Sequence, residues 1–249
     1  MDDEMPLQGG NASGGVARVG DTVRKPWTAA TPSVTAYMRT LRSAGVDLPE
    51  PRGRDAAGRQ VIEFVPGQLA IERGRLASAD LRRIGAMVRA IHDASARHLV
   101  SEDDRWERTI AAPAAELVCH NDLAPWNLVL GERWIFIDWD AAAPSTRLWD
   151  LAYAAQAFAL NDPSETPSDA AEDLAAFVDG YAADADLRRG LPTAMADRAA
   201  AMLELLRRSS ESGVEPWASM FASGHGDHWR AVAAYVRHHR EVWASALGG

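Results

Sequence analysis

The apolar residues of this chain change period near Ser78, and that switch limits its fold more than any other feature. Upstream, short apolar runs are cut by turn residues. Val16-Ala17-Arg18-Val19 and Thr22-Val23-Arg24-Lys25 flank Gly20-Asp21, a pair that suits a type II′ hairpin turn. Val61-Ile62-Glu63-Phe64-Val65 reads as a further strand, stopped by Pro66-Gly67. Val34, Met38 and Leu41 share one helical face, so a helix is expected that ends before Gly45. Downstream, Leu81, Ile84, Val88 and Ile91 form a helical stripe with Ser78 as its expected N-cap. Glu116 to Cys119 reads as a strand, and Leu128–Leu130 and Trp134–Ile137 flank Gly131-Glu132-Arg133 as a second hairpin. Helices are predicted over residues 147–160, 168–183, 192–209 and 227–246. The predicted class is therefore α+β: a small β-rich N-terminal lobe, residues 1–66, and a mainly helical C-terminal lobe, residues 67–249, hinged at Pro66-Gly67.

Composition narrows the partners. With 249 residues, 47% of them hydrophobic, the chain can bury a substantial core. A formal charge of −9 argues against nucleic acid or an anionic membrane as a partner, both of which are held by neutralising phosphates. Cys119 is the only cysteine, which excludes an intrachain disulfide and a cysteine zinc cluster; on its strand it is expected to be a small buried apolar residue. The acidic start, Met1-Asp2-Asp3-Glu4-Met5, lacks the basic and apolar regions of a secretory signal, and no apolar run reaches the roughly 18 residues of a membrane span, so a cytoplasmic protein is expected.

The chemistry concentrates in Cys119-His120-Asn121-Asp122-Leu123-Ala124-Pro125-Trp126-Asn127-Leu128-Val129-Leu130 and, past the hairpin turn, Ile137-Asp138-Trp139-Asp140. A loop carrying Asp122 and Asn127 leads into a hairpin whose far strand returns Asp138 to the same end. Three oxygen side chains can meet there, and Asp and Asn oxygens are the hard ligands that Mg²⁺ prefers. A carboxylate not used by the metal can orient or deprotonate a hydroxyl.

The order H-x-D-x-x-x-x-N followed by two hydrophobic residues and Asp resembles a kinase-fold catalytic loop. Together with Leu148-Trp149-Asp150-Leu151-Ala152, this form resembles the aminoglycoside phosphotransferase family of small-molecule kinases, and the resemblance extends over nearly the whole chain. It implies a protein-kinase-like two-lobe fold that uses ATP (or GTP) and Mg²⁺ to phosphorylate a hydroxyl of a small molecule, such as an aminoglycoside or other antibiotic. Asp122 would face the acceptor hydroxyl, with His120 bracing the loop, Asn127 and Asp138 would hold Mg²⁺, and Asp150 would support the loop backbone. Asp140 is read as a cap of the next turn, with a second metal as the other reading.

On the nucleotide side, kinases need a cation on the third strand to reach the phosphates. Lys25, the only lysine, and Arg24 are the candidates: strand alternation favours Lys25, while the spacing to Pro26 seen in relatives favours Arg24. The helix that usually answers this cation with a glutamate has no acidic residue between Val34 and Leu41. Gly9, Gly10, Asn11, Ser13, Gly14 and Gly15 could form a phosphate-covering turn, and Phe64 and Val65 would pair with adenine. The acidic run from Asp162 through Asp179 is either a solvated face or a wall suited to a cationic acceptor. The cluster His225-Gly226-Asp227-His228 is better explained by Asp227 as an N-cap than by a metal. Two other readings are a catalytically weak nucleotide-binding protein on the same fold, motivated by the missing helix glutamate, and a metal-dependent phosphohydrolase using Asp122, Asp138 and Asp140. Other acceptors open to such a kinase are choline-like, amino-alcohol, sugar and macrolide alcohols.

Overall fold

The computed structural model describes residues 4–7 and 15–248. Gly9, Gly10, Asn11, Ser13 and Gly14, expected around the phosphates, lie outside the described residues. The first part is an antiparallel sheet of β1 (Glu4–Pro6), β2 (Ala17–Val19), β3 (Thr22–Lys25), β4 (Pro51–Arg54) and β5 (Gln60–Glu63), in the order β1-β2-β3-β5-β4. Val19 faces Thr22 across the two-residue turn, and Gly20 takes φ 60°, which the glycine of such a hairpin supplies without strain. Helix α1 (Thr31–Ser43) crosses between β3 and β4, starts with a proline in its first turn and stops at Gly45, φ 92°.

The second part begins with the short β6 (Gln68–Leu69), which pairs with β8 (Leu128–Leu130); β8 in turn pairs with β9 (Trp134–Phe136). A two-stranded sheet joins β7 (Leu117–Cys119) to β10 (Ala143–Ser145). The helices are α2 (Ser78–Ser95), α3 (Arg147–Ala159), α4 (Pro167–Tyr181), α5 (Ala185–Ser212), α6 (Trp217–Met220), α7 (Gly226–His238) and α8 (Arg240–Ala246). Tyr37, Met38 and Leu41 of α1 join the same buried cluster as Ile84, Val88, Phe136, Phe177 and Trp243, so one core runs from the sheet-side helix to the last helix. Among the described residues no helix is long and apolar enough to cross a membrane.

Several boundaries differ from the sequence reading. Helix α2 starts at Ser78 itself and Ala77 takes the N-cap position, so Ser78 is not the cap. The predicted last helix is broken at His239 into α7 and α8. Asp227 lies inside the first turn of α7 paired with Arg230, and is not its N-cap. Helix α5 begins at Ala185, seven residues before the Pro192 at which a start was predicted, because Asp184 caps it through Leu187 N–H (2.9 Å) and Pro192 is tolerated inside. The strand predicted to reach Val65 ends at Glu63, and β4 was not foreseen, since Pro51-Arg52-Gly53-Arg54 has no apolar alternation.

Candidate active site

The hairpin register sets the site. Leu128 pairs with Phe136 at the base of β8 and β9, and Ile137 N–H donates to Asn127 O (2.8 Å), so Asn127 and Asp138 emerge at the same end. A 3₁₀ turn, Pro125–Asn127, carries the chain from Asp122 into β8. Asp138 adopts the left-handed conformation (φ 59°, ψ 65°), and a second 3₁₀ turn, Trp139–Ala141, follows at once. This backbone turn presents Asp138 and Asp140 to the same ammonium: Lys25 Nζ lies 2.6 Å from Asp138 Oδ1 and 2.6 Å from Asp140 Oδ2. Burial works against the Lys25 charge, but the two carboxylates outweigh it and hold its pKa above the ordinary lysine value. Asp140 is thus an ion-pair partner of Lys25, not a cap of the next turn. Arg24 points elsewhere, with its guanidinium 3.4 Å from Asp55.

The Asp122 carboxylate is held from two sides. Tyr153 of α3 donates its hydroxyl to Oδ1 (2.8 Å), and Asn127 donates its amide to Oδ2 (2.7 Å) and to the Asp122 carbonyl (3.0 Å). Burial pushes the Asp122 carboxyl up to about 6, with the Tyr153 hydrogen bond opposing and the nearby Asp138 charge reinforcing the rise. His120 is fully buried under the loop. Its Nδ1 receives Asp122 N–H (3.3 Å), its Nε2 faces Ile137 O (3.1 Å), and its ring lies 4.5 Å from that of Trp139. One donor and one acceptor describe a neutral imidazole, and burial lowers its pKa accordingly. Asp150 Oδ1 receives the Asn121 N–H (2.8 Å) while Oδ2 meets His92 Nε2 (2.9 Å), both side chains being fully buried. The loop turns at Asn121, φ 64°, whose side-chain amide reaches the carbonyls of Ala141 and Ala143 (3.1 Å each). Cys119 is buried one residue before the loop, where burial pushes its thiol pKa well up.

Three participants were not foreseen. Tyr153 sits one helical turn after Asp150, so the spacing from Asp150 was the available signal. Arg198 of α5 lies over the Tyr153 ring (4.2 Å) and donates to Asn121 O (3.3 Å); nothing local in the sequence marks it. His92 of α2 reaches Asp150 from a stripe that otherwise reads as core.

On the nucleotide side, Val65 packs with Val129 and Ile135, and Phe64 donates its N–H to Asp21 O (2.9 Å) beneath the Arg18 guanidinium. Of the two expected adenine partners, Phe64 therefore has its N–H already engaged in the sheet. The acidic run is drawn into ion pairs: Glu165 and Asp173 with Arg75, and Asp179 with Arg188. Beside Asp122 the surroundings are aromatic, Trp126 meeting the Tyr153 ring edge-on (6.4 Å) and Trp229 stacking on its face (6.4 Å).

Comparisons with known proteins bear on the fold and the family. No curated protein matches the chain. Among solved structures, an amicoumacin kinase, hAmiN, in complex with AMP-PNP, Ca²⁺ and Ami is 15% identical, with 88% of this chain and 84% of that one covered at a TM-score of 0.63. A choline/ethanolamine kinase family protein from Mesorhizobium loti is 19% identical, with 94% and 92% covered at 0.57. The gentamicin complex of APH(2″)-IIa is 10% identical, with 97% and 93% covered at 0.56. These likenesses establish a protein-kinase-like α+β fold. The sequence model of the phosphotransferase enzyme family, APH, matches residues 97–235, which hold His120, Asp122, Asn127, Asp138 and Asp150. The match spans more than half of the chain, from just past α2 into α7, and so the protein belongs to the APH phosphotransferase enzyme family.

Proposed function

We propose that the protein transfers the γ-phosphate of ATP or GTP, with Mg²⁺, to a hydroxyl of a small molecule. The observation that carries the reading is the convergence of Asp122, Asn127 and Asp138 at one hairpin end, with Lys25 reaching it from β3. Phosphoryl transfer asks mainly for positioning and neutralisation of charge, and this set supplies both. The boundary between a nucleotide-binding lobe, residues 1–66, and a catalytic lobe, residues 67–249, is supported by β6, which already pairs with β8.

The donors fit a hard divalent cation. Asn127 spends its amide N–H on Asp122 and keeps its oxygen as a ligand atom, while Asp138 already holds one positive charge, the Lys25 ammonium. When bound, Mg²⁺ would neutralise the phosphate oxygens. Lys25 pairs with the phosphates, and the Phe64 carbonyl and the Val65 backbone are offered to adenine, the Phe64 N–H being held by Asp21 O. Tyr153 and Asn127 fix the Asp122 carboxylate so that a lone pair faces the acceptor hydroxyl and takes its proton as the new O–P bond forms. His120, neutral and sealed beneath the loop, holds Asp122 by its backbone and does not carry the proton.

For the acceptor, the half-buried Trp126 favours a compound with an apolar or ring face beside its hydroxyl. Amino alcohols, aminoglycosides, macrolides and sugars are the compounds to screen, and a nucleotide-dependent kinase of this kind would work in the cytoplasm. Coupled detection of ADP over that panel tests the reading. Acceptor-dependent ADP release is the expected result; no nucleotide binding at millimolar concentration would sink it.

A further inference from the structure

Lys25 lacks the partner that the helix after its strand usually provides. From Thr31 to Ser43, α1 contains no Asp or Glu, and its buried residues, among them Val34, Tyr37, Met38 and Leu41, are mostly apolar. The helix contacts the site through an aromatic pair: the Tyr37 ring lies edge-on to Trp139 at 5.9 Å, and the Tyr37 hydroxyl donates to Val118 O at 2.9 Å, which anchors the ring. Trp139 is itself fixed, its indole N–H donating to Phe136 O (2.9 Å) and its ring resting on His120. Asp140 is the next residue, and its Oδ2 holds the Lys25 ammonium at 2.6 Å. A chain of contacts thus runs from α1 through Trp139 to Asp140 and Lys25.

We infer that Asp140 replaces the missing helix carboxylate: it is the positioning residue that aims Lys25 at the nucleotide phosphates whether or not a metal is bound, leaving Asp138 as the metal-ligand candidate. The inference rests on the proposed kinase reading and goes beyond it by assigning the two carboxylates around Lys25 different duties. Asp138 and Asp140 cannot both serve Lys25 alone if Asp138 also ligates the cation. Asp140 is the more exposed of the pair, 46% against 31%, and lies within the 3₁₀ turn Trp139–Ala141, whereas Asp138 directly precedes that turn.

Metal-free nucleotide binding separates this role from its alternatives. With two carboxylates around one ammonium, the local charge is net negative, so simple removal of a charge by Asp140→Asn would tighten ADP binding. Loss of positioning would weaken it. Calorimetric titration with ADP in EDTA, or with GDP if the wild type prefers it, should show Asp140→Asn binding about tenfold more weakly, the equivalent of one charge-assisted hydrogen bond. Asp140→Glu should recover most of that loss, and the melting temperature should stay close to wild type because the side chain is half exposed. The double variant Lys25→Met/Asp140→Asn should bind no more weakly than Lys25→Met alone, since one residue acts through the other. Equal or tighter ADP binding by Asp140→Asn in EDTA, additive losses in the double variant, or a loss seen only with Mg²⁺ would each overturn the assignment, the last pointing to a metal ligand. A wild-type chain that binds neither ADP nor GDP overturns the kinase reading and this assignment with it.

Discussion

Asp122 occupies the centre of the site, and its environment can be measured without any substrate. Burial pushes its carboxyl from the ordinary aspartate range up to about 6. A carboxyl whose pKa is higher in the fold than in the unfolded chain holds its proton more tightly when folded. Its contribution to stability is complete below about pH 4 and is lost as the pH climbs through 6. Carbon-13 NMR titration of the metal-free protein should find one carboxyl with a midpoint near 6, and Tyr153→Phe should raise it further, because the hydroxyl favours the charged form. A wild-type midpoint below 5 would contradict this account of the loop. Asp150 invites a second test, since Asp150→Ala strands the buried Asn121 N–H and His92 Nε2. It should lower stability by about 3 kcal/mol in denaturant titration, and a change under about 1 kcal/mol would show that the network is not holding the loop. The spacing of His120, Asp122, Asn127 and Asp138 was legible in the sequence because short loops and a tight hairpin leave few geometries. Tyr153 and Arg198 were not, because they reach the loop by tertiary packing of α3 and α5.

Among the elements, the pair α2 and α4 depends on two glycines that no periodicity argument marks. A Cβ on Gly180 would come within 2.0 Å of Arg82 O, and one on Gly85 within 2.1 Å of Phe177 O, so the two backbones touch at these points. Gly180→Ala should cost about 1–3 kcal/mol or more by forcing the helices apart, read as a lower denaturant midpoint with an unchanged slope. An unchanged midpoint would mean that the helices are not in backbone contact. The helices were legible as stripes, and their ends much less so. Thr146, Thr166 and Asp184 cap α3, α4 and α5 by side-chain hydrogen bonds, whereas α2 and α7 begin without one, which is why Ser78 and Asp227 misled. The β10–β7 pair was hidden for another reason: Ala143-Pro144-Ser145 has no strand pattern and is held by pairing with Leu117–Cys119.

Taken as a whole molecule, the chain has among its described residues a main buried cluster that runs from α1 through the helices of the second part, with a small second cluster of Val65, Val129 and Ile135, so nucleotide binding should stabilise both parts in a single transition. ADP or GDP with Mg²⁺ at about 100 times its dissociation constant should raise the melting temperature by about 5–10 °C. A shift in only one of two separable transitions would show that the parts melt independently. The net charge of −9 acquires a narrower meaning at this scale. Much of the acidity is committed to arginines, as in Glu204 with Arg207 and Arg208, and the site itself sets one lysine against three aspartates. On the proposed reading, Asp122 receives the proton of an acceptor hydroxyl while nucleotide is held by other groups. The most direct measurement compares the wild type with Asp122→Asn in acceptor-dependent ADP release and in nucleotide affinity. Turnover should fall about 10³-fold in Asp122→Asn, with the dissociation constant for nucleotide changed less than about threefold. Turnover within about tenfold of wild type in Asp122→Asn would contradict it.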